Sequence, residues 1–165
     1  IESILYAAKQ CQSMKQVKFL FVGEGYKKTW AMTYVATHKL SNVMFKSYVD
    51  REHLGALLDL FDVGLVSLLP EQTGLSVPSK TMGLLAAGCP IIALMDPQCT
   101  ISQLITTANN GYSIRPHDVS GLTKAISTLA NDPILCDTFG QRSLALSAQT
   151  YNLNKTCDTF KHILF

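Results

Sequence analysis

The sequence predicts an α/β fold in which helices cover both faces of a parallel, doubly wound sheet. Two observations predict it. Short runs of β-branched and other apolar residues alternate along the chain with segments whose apolar residues recur every three or four positions. The chain is also 47% hydrophobic and 16% charged, which suits strands that are apolar on both faces. Strands that alternate with helices form a parallel sheet with right-handed crossovers.

The predicted elements follow one another in a regular order. Helical spacing of apolar residues makes residues 4–11 the first element. Strands are predicted at residues 17–22, 42–45, 62–67, 90–94 and 112–114. Helices are predicted at residues 26–38, 54–61, 79–87, 100–109, 118–131, 133–148 and 153–164. Because a domain of this kind usually begins with a strand, we expect its first strand to lie ahead of Ile1.

Size and charge narrow the possible roles. The 165 residues fit one domain, so residues 1–165 are treated as a single domain. The net charge of +2 is spread along the chain, which does not indicate a nucleic-acid-binding protein. No run approaches the roughly 20 apolar residues of a membrane-spanning helix, and no export signal is visible. Five scattered cysteines indicate reduced thiols in a cytosolic protein, and no metal site is expected.

The loop after the first strand, Gly23-Glu24-Gly25, is the first candidate for ligand binding. In an open α/β sheet, ligands bind beyond the carboxyl ends of the strands. Glycine lets the backbone turn tightly and lets a ligand approach closely. The third glycine of a dinucleotide fingerprint would fall at Lys28, so this loop argues against an NAD site. A simple turn explains the two glycines equally well.

The loop after the third strand, residues 68–78, leads into an apolar helix and is the second candidate. A helix N-terminus carries unpaired N–H groups and a partial positive charge, which together attract phosphate. The small residues Gly74, Ser76 and Ser79 would let those amides reach an anion. Lys80 lies in the first helical turn, where its positive charge opposes the helix dipole. A residue that is unfavourable for the helix itself suggests a role in binding a ligand. The loop therefore predicts phosphate binding, with an ordinary solvated loop as the alternative.

Four segments together carry a family resemblance. They are Val-Gly-Glu-Gly at 22–25, Asn-Val-Met-Phe-Lys-Ser-Tyr-Val at 42–49, Asp-Val-Gly-Leu-Val-Ser-Leu at 62–68, and Pro-Ser-Lys at 78–80 followed by Ala-Ala-Gly-Cys-Pro-Ile-Ile-Ala at 86–93. With them, nearly the whole chain resembles the C-terminal domain of retaining glycosyltransferases with the two-domain GT-B fold. The resemblance is closest to the group 1 transferases that build bacterial cell-surface polysaccharides. It implies a Rossmann-like sheet that forms one half of the GT-B fold.

The resemblance also implies which residues hold the ligand, a UDP- or GDP-linked sugar that serves as co-substrate, with no further cofactor. The donor-binding residues carried over by position are Gly23, Glu24, Gly25, Tyr48, Val49, Glu71, Thr73, Gly74, Leu75, Ser76 and Ser79. Lys80 is the catalytic candidate, which would neutralise charge as the diphosphate leaves. Many members carry two glutamates eight positions apart, but the matching positions here are Leu75 and Gly83. Glu71 is the nearest acidic residue.

The reaction implied by the resemblance is the transfer of a hexose or N-acetylhexosamine to a glycan or lipid-linked acceptor, with retention of configuration. No metal is expected, because basic side chains and a helix N-terminus can hold the diphosphate. An N-terminal acceptor-binding domain of the same protein is the expected partner, so this chain alone is expected to be inactive. A cytoplasmic location is expected, with the full-length protein peripheral at the inner membrane face. The alternatives are a sugar-nucleotide 2-epimerase of the same fold and a non-catalytic domain that docks a partner.

Overall fold

The computed structural model describes residues 1–151 and residue 161, and within them helices alternate with short strands. The helices are α1 (Glu2–Gln10), α2 (Lys28–Thr37), α3 (Leu54–Leu58), α4 (Lys80–Ala86), α5 (Thr100–Ala108), α6 (Val119–Asn131) and α7 (Pro133–Thr150). The strands are β1 (Phe19–Val22), β2 (Val43–Lys46), β3 (Gly64–Ser67), β4 (Ile91–Leu94) and β5 (Gly111–Ile114). Short 3₁₀ turns lie at Arg51–His53 and Pro70–Gln72. The helix predicted at 153–164 lies outside the described residues.

The predicted strands and the order of the elements are confirmed, with strand starts that differ by one or two residues. The helix predicted at 54–61 is shorter than expected. Helix α3 begins at Leu54, directly after a 3₁₀ turn, and ends at Leu58. None of the α3 residues is buried. Most helical stability in proteins comes from packing, so a segment without buried residues makes a short helix.

All strand pairs in the described residues are parallel, as predicted, but they form two separate sheets. β1 pairs with β2, with Phe19 opposite Val43. β3 pairs with β4 and β4 with β5, so that Gly64, Ile91 and Gly111 lie side by side. Within the described part of the chain, no ladder joins β1 to β3. The single sheet expected from the sequence is therefore divided into one sheet of β1 and β2 and another of β3, β4 and β5.

The central strand β4 shows that helices cover both faces of its sheet. Ile92 and Leu94 point into a core that includes residues of α1, α2, α6 and α7. Ile91 and Ala93 point into a second core with residues of α3, α4 and α5. All four β4 side chains are buried, and each large one contributes roughly 1.5–3 kcal/mol by leaving water. The doubly wound arrangement predicted from the apolar strands is confirmed.

The four cysteines among the described residues are free thiols, as predicted. Cys11, Cys89 and Cys99 are buried and Cys136 is half-buried. Burial raises the pKa of Cys89 to about 11, with smaller contributions from nearby carboxylates. The Cys89 thiol therefore behaves as a packing group rather than as a nucleophile.

Candidate functional site

Three strands end in exposed loops at the edge of the fold where the sequence predicts a ligand. β1 leads into residues 23–27, β2 into residues 47–50 and β3 into residues 68–79. The carboxyl ends of parallel strands point the same way, and the helix that follows each strand starts there. The loop after β3 is the longest of the three.

Local hydrogen bonds fold the loop after β3. The amide of Thr73 donates to the Pro70 carbonyl over 3.1 Å, and two further amides, those of Leu75 and Ser76, donate to the Gln72 carbonyl. Between them Gly74 adopts a φ of +77°, which favours glycine because a Cβ is strained there. Apart from its chain neighbours, no atom of the described residues lies within 4 Å of the position that a Cβ on Gly74 would take. The turn therefore exposes its backbone to open space.

Several amides of this loop have no acceptor. In the first turn of α4, the amide of Thr81 donates to the Pro78 carbonyl and the amide of Met82 donates to the Ser79 carbonyl, each over 3.1 Å. No side chain in the described part of the chain caps the start of this helix. Within the described residues, four amides in this stretch donate to no protein acceptor, those of Gly74, Val77, Ser79 and Lys80. The loop thus has free N–H groups, which are the groups that bind anions in proteins.

Lys80, the first residue of α4, adds a positive charge beside these amides. The residue is exposed, but the surrounding protein removes part of the water from its ammonium group and lowers its pKa. None of the side chains in the described part of the chain forms an ion pair with it. An ammonium group that is partly desolvated and unpaired favours the arrival of an anion.

A cavity of about 380 Å³ lies beside the loop. It is lined by Leu68, residues 73–78, Met95 and residues 98–101. The structure therefore brings together four of the predicted donor-binding residues, Thr73, Gly74, Leu75 and Ser76. Ser79 and Lys80 follow the lining directly in sequence. Glu71 lies in the preceding 3₁₀ turn, is exposed and does not line the cavity.

The other predicted donor-binding residues lie at the ends of β1 and β2 and do not line this cavity. Gly23 has a φ of +107°, and beyond the chain neighbours no described residue lies within 4 Å of a Cβ placed on Gly23 or Gly25. The Glu24 carboxylate accepts a hydrogen bond from the Lys28 ammonium over 2.6 Å, so its charge is already compensated. Tyr48 is 76% exposed after β2, and Val49 beside it is half-buried.

The cavity also contains residues that sequence reasoning did not select. The start of α5 also lines the cavity, through Gln98, Cys99 and Thr100. The Cys99 thiol contacts the Thr73 hydroxyl over 3.7 Å. The strand-end rule points only to the loop after β4, and Gln98 lies four positions beyond Leu94, so the rule alone does not single these residues out. A wider, shallow groove of about 630 Å³ runs along α6 but contains no strand-end residue. The strand-end rule therefore favours the smaller cavity.

The two positions where glutamates would be expected offer no carboxylate. Leu75 is 83% exposed at the tip of the loop. Gly83 lies inside α4, where a Cβ would be 3.4 Å from a methyl group of Leu58. A side chain at position 83 would therefore meet one flexible neighbour and no backbone, so glycine is not required there by packing.

No group of three or more His, Cys, Asp or Glu side chains in residues 1–151 or at residue 161 is arranged to hold a metal ion. None of the helices found there has the length and apolar character needed to cross a membrane.

The family model described as "Glycosyl transferases group 1" matches residues 1–132. Over 129 residues the chain is 28% identical to the probable glycosyltransferase WbjE of Pseudomonas aeruginosa, a match that covers 78% of this chain and 32% of WbjE. The chain thus spans about a third of the length of this curated relative.

Solved structures show the same fold. HepE of Anabaena, solved with UDP-glucose, superposes with a TM-score of 0.79 at 19% identity, covering 99% of this chain and 44% of HepE. The C-terminal domain of the group 1 protein LpcC from Francisella tularensis superposes with a TM-score of 0.75 at 16% identity, covering 92% of this chain and 78% of that chain. The fold is one half of a GT-B glycosyltransferase, as the resemblance implied. The chain belongs to the glycosyl transferases group 1 family.

Proposed function

We propose that this chain holds the nucleoside diphosphate sugar of a glycosyltransferase, with the two phosphates against the loop after β3. The observation that carries the proposal is the set of four free amides beside Lys80, next to the 380 Å³ cavity. Diphosphate oxygens are hydrogen-bond acceptors with negative charge, so they match backbone N–H groups and an ammonium group.

In this proposal the loop binds the donor through backbone amides, hydroxyl groups and one ammonium group. Gly74 and Val77 offer amides, while Thr73, Ser76 and Ser79 offer hydroxyl groups to the diphosphate and the sugar. Lys80 neutralises the charge that develops on the diphosphate as the bond to the sugar breaks. Its partial desolvation supports this role, because a charge interacts more strongly with an anion where less water screens it.

The loops after β1 and β2 bind the rest of the donor. Gly23 and Gly25 line the floor of the donor site near the phosphates and the sugar, where the absence of side chains leaves room for the ligand. Glu24 contributes through its backbone, because its carboxylate pairs with Lys28. Tyr48 and Val49 flank the base. A UDP-linked donor is supported by HepE, whose structure contains UDP-glucose.

For the full-length protein we propose the transfer of a hexose or N-acetylhexosamine to a glycan or lipid-linked acceptor, with retention and without a metal ion. A second, N-terminal domain binds the acceptor, which accords with the greater length of WbjE and HepE. The free thiols support a cytoplasmic location.

Titration of UDP, GDP and ADP into the chain by calorimetry tests the proposal. We expect UDP or GDP to bind, and we expect Lys80→Ala to weaken binding by roughly tenfold, the effect of losing one charge-assisted contact. Lys18→Ala is the matched control, because Lys18 is exposed ahead of β1, at the opposite edge of the fold. Equal affinity in Lys80→Ala would refute this placement of the phosphates. Failure of all three nucleotides to bind would favour the partner-docking alternative.

A further inference from the structure

The cavity of about 380 Å³ beside the loop after β3 has an apolar wall. This wall consists of Leu68, Met95, Cys99 and Ile101, which line the cavity and are at most 9% exposed. All four residues belong to the buried cluster that also contains residues of α4 and β4. The cavity is therefore an opening into one of the two cores, and a ligand group that reaches the wall meets apolar side chains.

The rim of the same cavity is polar but uncharged. It is formed by Thr73, Ser76, Gln98 and Thr100, which line the cavity and are half-buried or exposed. Their hydroxyl and amide groups both donate and accept hydrogen bonds, as sugar hydroxyls do. None of the described residues that line the cavity carries a charge. A sugar bound here has partners for hydroxyl groups at the rim and no carboxylate at the wall.

The loop adds two exposed apolar side chains to the cavity. Leu75 is 83% exposed and Val77 is 55% exposed, and both line the cavity. Leu75 also occupies one of the two positions where a glutamate would be expected. A carbon group of a ligand that covers these side chains removes apolar surface from water, which is favourable. A hydroxyl group in the same place loses its bonds to water, which is unfavourable unless a new partner replaces them.

These two environments favour one kind of sugar. The exocyclic carbon C6 projects beyond the ring of a hexose, so it can reach the apolar wall while the ring hydroxyls remain at the rim. In an ordinary hexose C6 carries a hydroxyl group, and in a 6-deoxyhexose it is a methyl group. The methyl group matches the apolar wall, whereas the hydroxyl group there would be without a carboxylate partner.

We propose that the donor sugar is a 6-deoxyhexose, with its methyl group against the apolar wall and against Leu75 and Val77. This inference rests on the proposed function, because the phosphates at the free amides direct the sugar toward the cavity. Leu75 is then a specificity-determining residue, since it provides an apolar surface at a position where a carboxylate would bind a hydroxyl group.

Calorimetry with two pairs of nucleotide sugars tests the proposal on the 165-residue chain. The pairs are UDP-glucose with UDP-6-deoxyglucose, and GDP-mannose with GDP-6-deoxymannose. In the pair whose nucleoside diphosphate binds, we expect the 6-deoxy sugar to bind roughly tenfold more tightly. Equal affinities, or a preference for the hydroxylated sugar, would overturn the proposal.

Titration of UDP and GDP alone separates the two proposals. If one of them binds but neither member of its sugar pair is preferred, only the proposed sugar is wrong. If neither binds, the placement of the phosphates is wrong and the proposed sugar fails with it.

A substitution at the loop tip provides a second measurement. Leu75→Glu adds a carboxylate that accepts a hydrogen bond from a sugar hydroxyl, so we expect the preference for the 6-deoxy sugar to fall by roughly tenfold. Leu69→Glu is the matched control, because Leu69 is exposed in the same loop but does not line the cavity. The ratio of the two affinities is compared, since an added charge affects both sugars through the diphosphate. An unchanged ratio in Leu75→Glu, or an equal fall in Leu69→Glu, would contradict the proposal.

Discussion

Glycines at the two edges of the fold occupy opposite environments. At the amino edge, a Cβ on Gly140 of α7 would lie 2.5 Å from the carbonyl oxygen of Gly88, directly after α4. At the carboxyl edge, a Cβ on Gly74 would meet no other described residue within 4 Å, its chain neighbours apart. The comparison teaches that glycine permits close packing at one edge and leaves open space at the other.

The amino edge is also held by a buried hydrogen-bond network. The Ser143 hydroxyl donates to the Cys89 carbonyl over 2.7 Å and accepts a hydrogen bond of 2.9 Å from the Asn110 side chain. These contacts join α7 to the residues that precede β4 and β5. The loop after β3 has free amides instead. Buried polar groups are therefore paired at one edge, while backbone N–H groups at the other remain free.

The largest expected effect is at the packed edge. Gly140→Ala forces a methyl group against the Gly88 carbonyl, a backbone atom that cannot move away easily, and we expect the free energy of unfolding to fall by about 3 kcal/mol. Urea denaturation measures it. Gly55→Ala is the control, because Gly55 lies in α3 with open space around it. Similar stabilities for the two variants would break the comparison.

The next effect concerns the hydrogen-bond network. Ser143→Ala leaves the Cys89 carbonyl and the Asn110 amide group without this partner, and we expect a loss of about 2 kcal/mol. Ser147→Ala makes the same change one turn later on α7, where the hydroxyl bonds to no described residue. Chemical denaturation of both variants should separate them. A loss in Ser147→Ala as large as in Ser143→Ala would contradict the network.

At the open edge we expect a small stability effect and a clear binding effect. Gly74→Val strains a residue with positive φ and costs about 1 kcal/mol in stability. It also covers the free amide, so calorimetry should show weaker binding of the nucleoside diphosphate. Gly74→Asn is the control for conformation, because asparagine tolerates this backbone region. Full affinity in Gly74→Val would remove this loop from the site.

The smallest expected effect is a gain in stability. Gly83→Ala places a methyl group inside α4, where it meets a side-chain atom of Leu58 at 3.4 Å. Alanine favours the helix over glycine by about 1 kcal/mol, so we expect the free energy of unfolding to rise by a similar or smaller amount. Thermal denaturation measures the change. A loss of stability would mean that Leu58 cannot move aside and that position 83 belongs with the packed glycines.

Much of the fold could be predicted from the sequence because its signals are local. The apolar run of residues 90–94 and the periodic segment at 118–131 appear in the structure as β4 and α6 with nearly the same bounds. The loop after β3 was predicted as the main site because small residues and Lys80 precede an apolar helix. Its role in binding remains a prediction. The side of the cavity formed by Gln98–Thr100 was missed, because these residues have no distinctive sequence pattern and come near Thr73 only through folding.

By itself, the sequence determined the order of strands and helices, the parallel direction of the sheet and the family, because periodicity, composition and short motifs are properties of neighbouring residues. The tertiary structure alone decided which strands pair, which amides remain free and which glycines are enclosed. Those properties depend on groups far apart in the chain. Gly74 and Gly140 are the same residue type in the sequence, and only the atoms brought near them by folding distinguish an open position from a packed one.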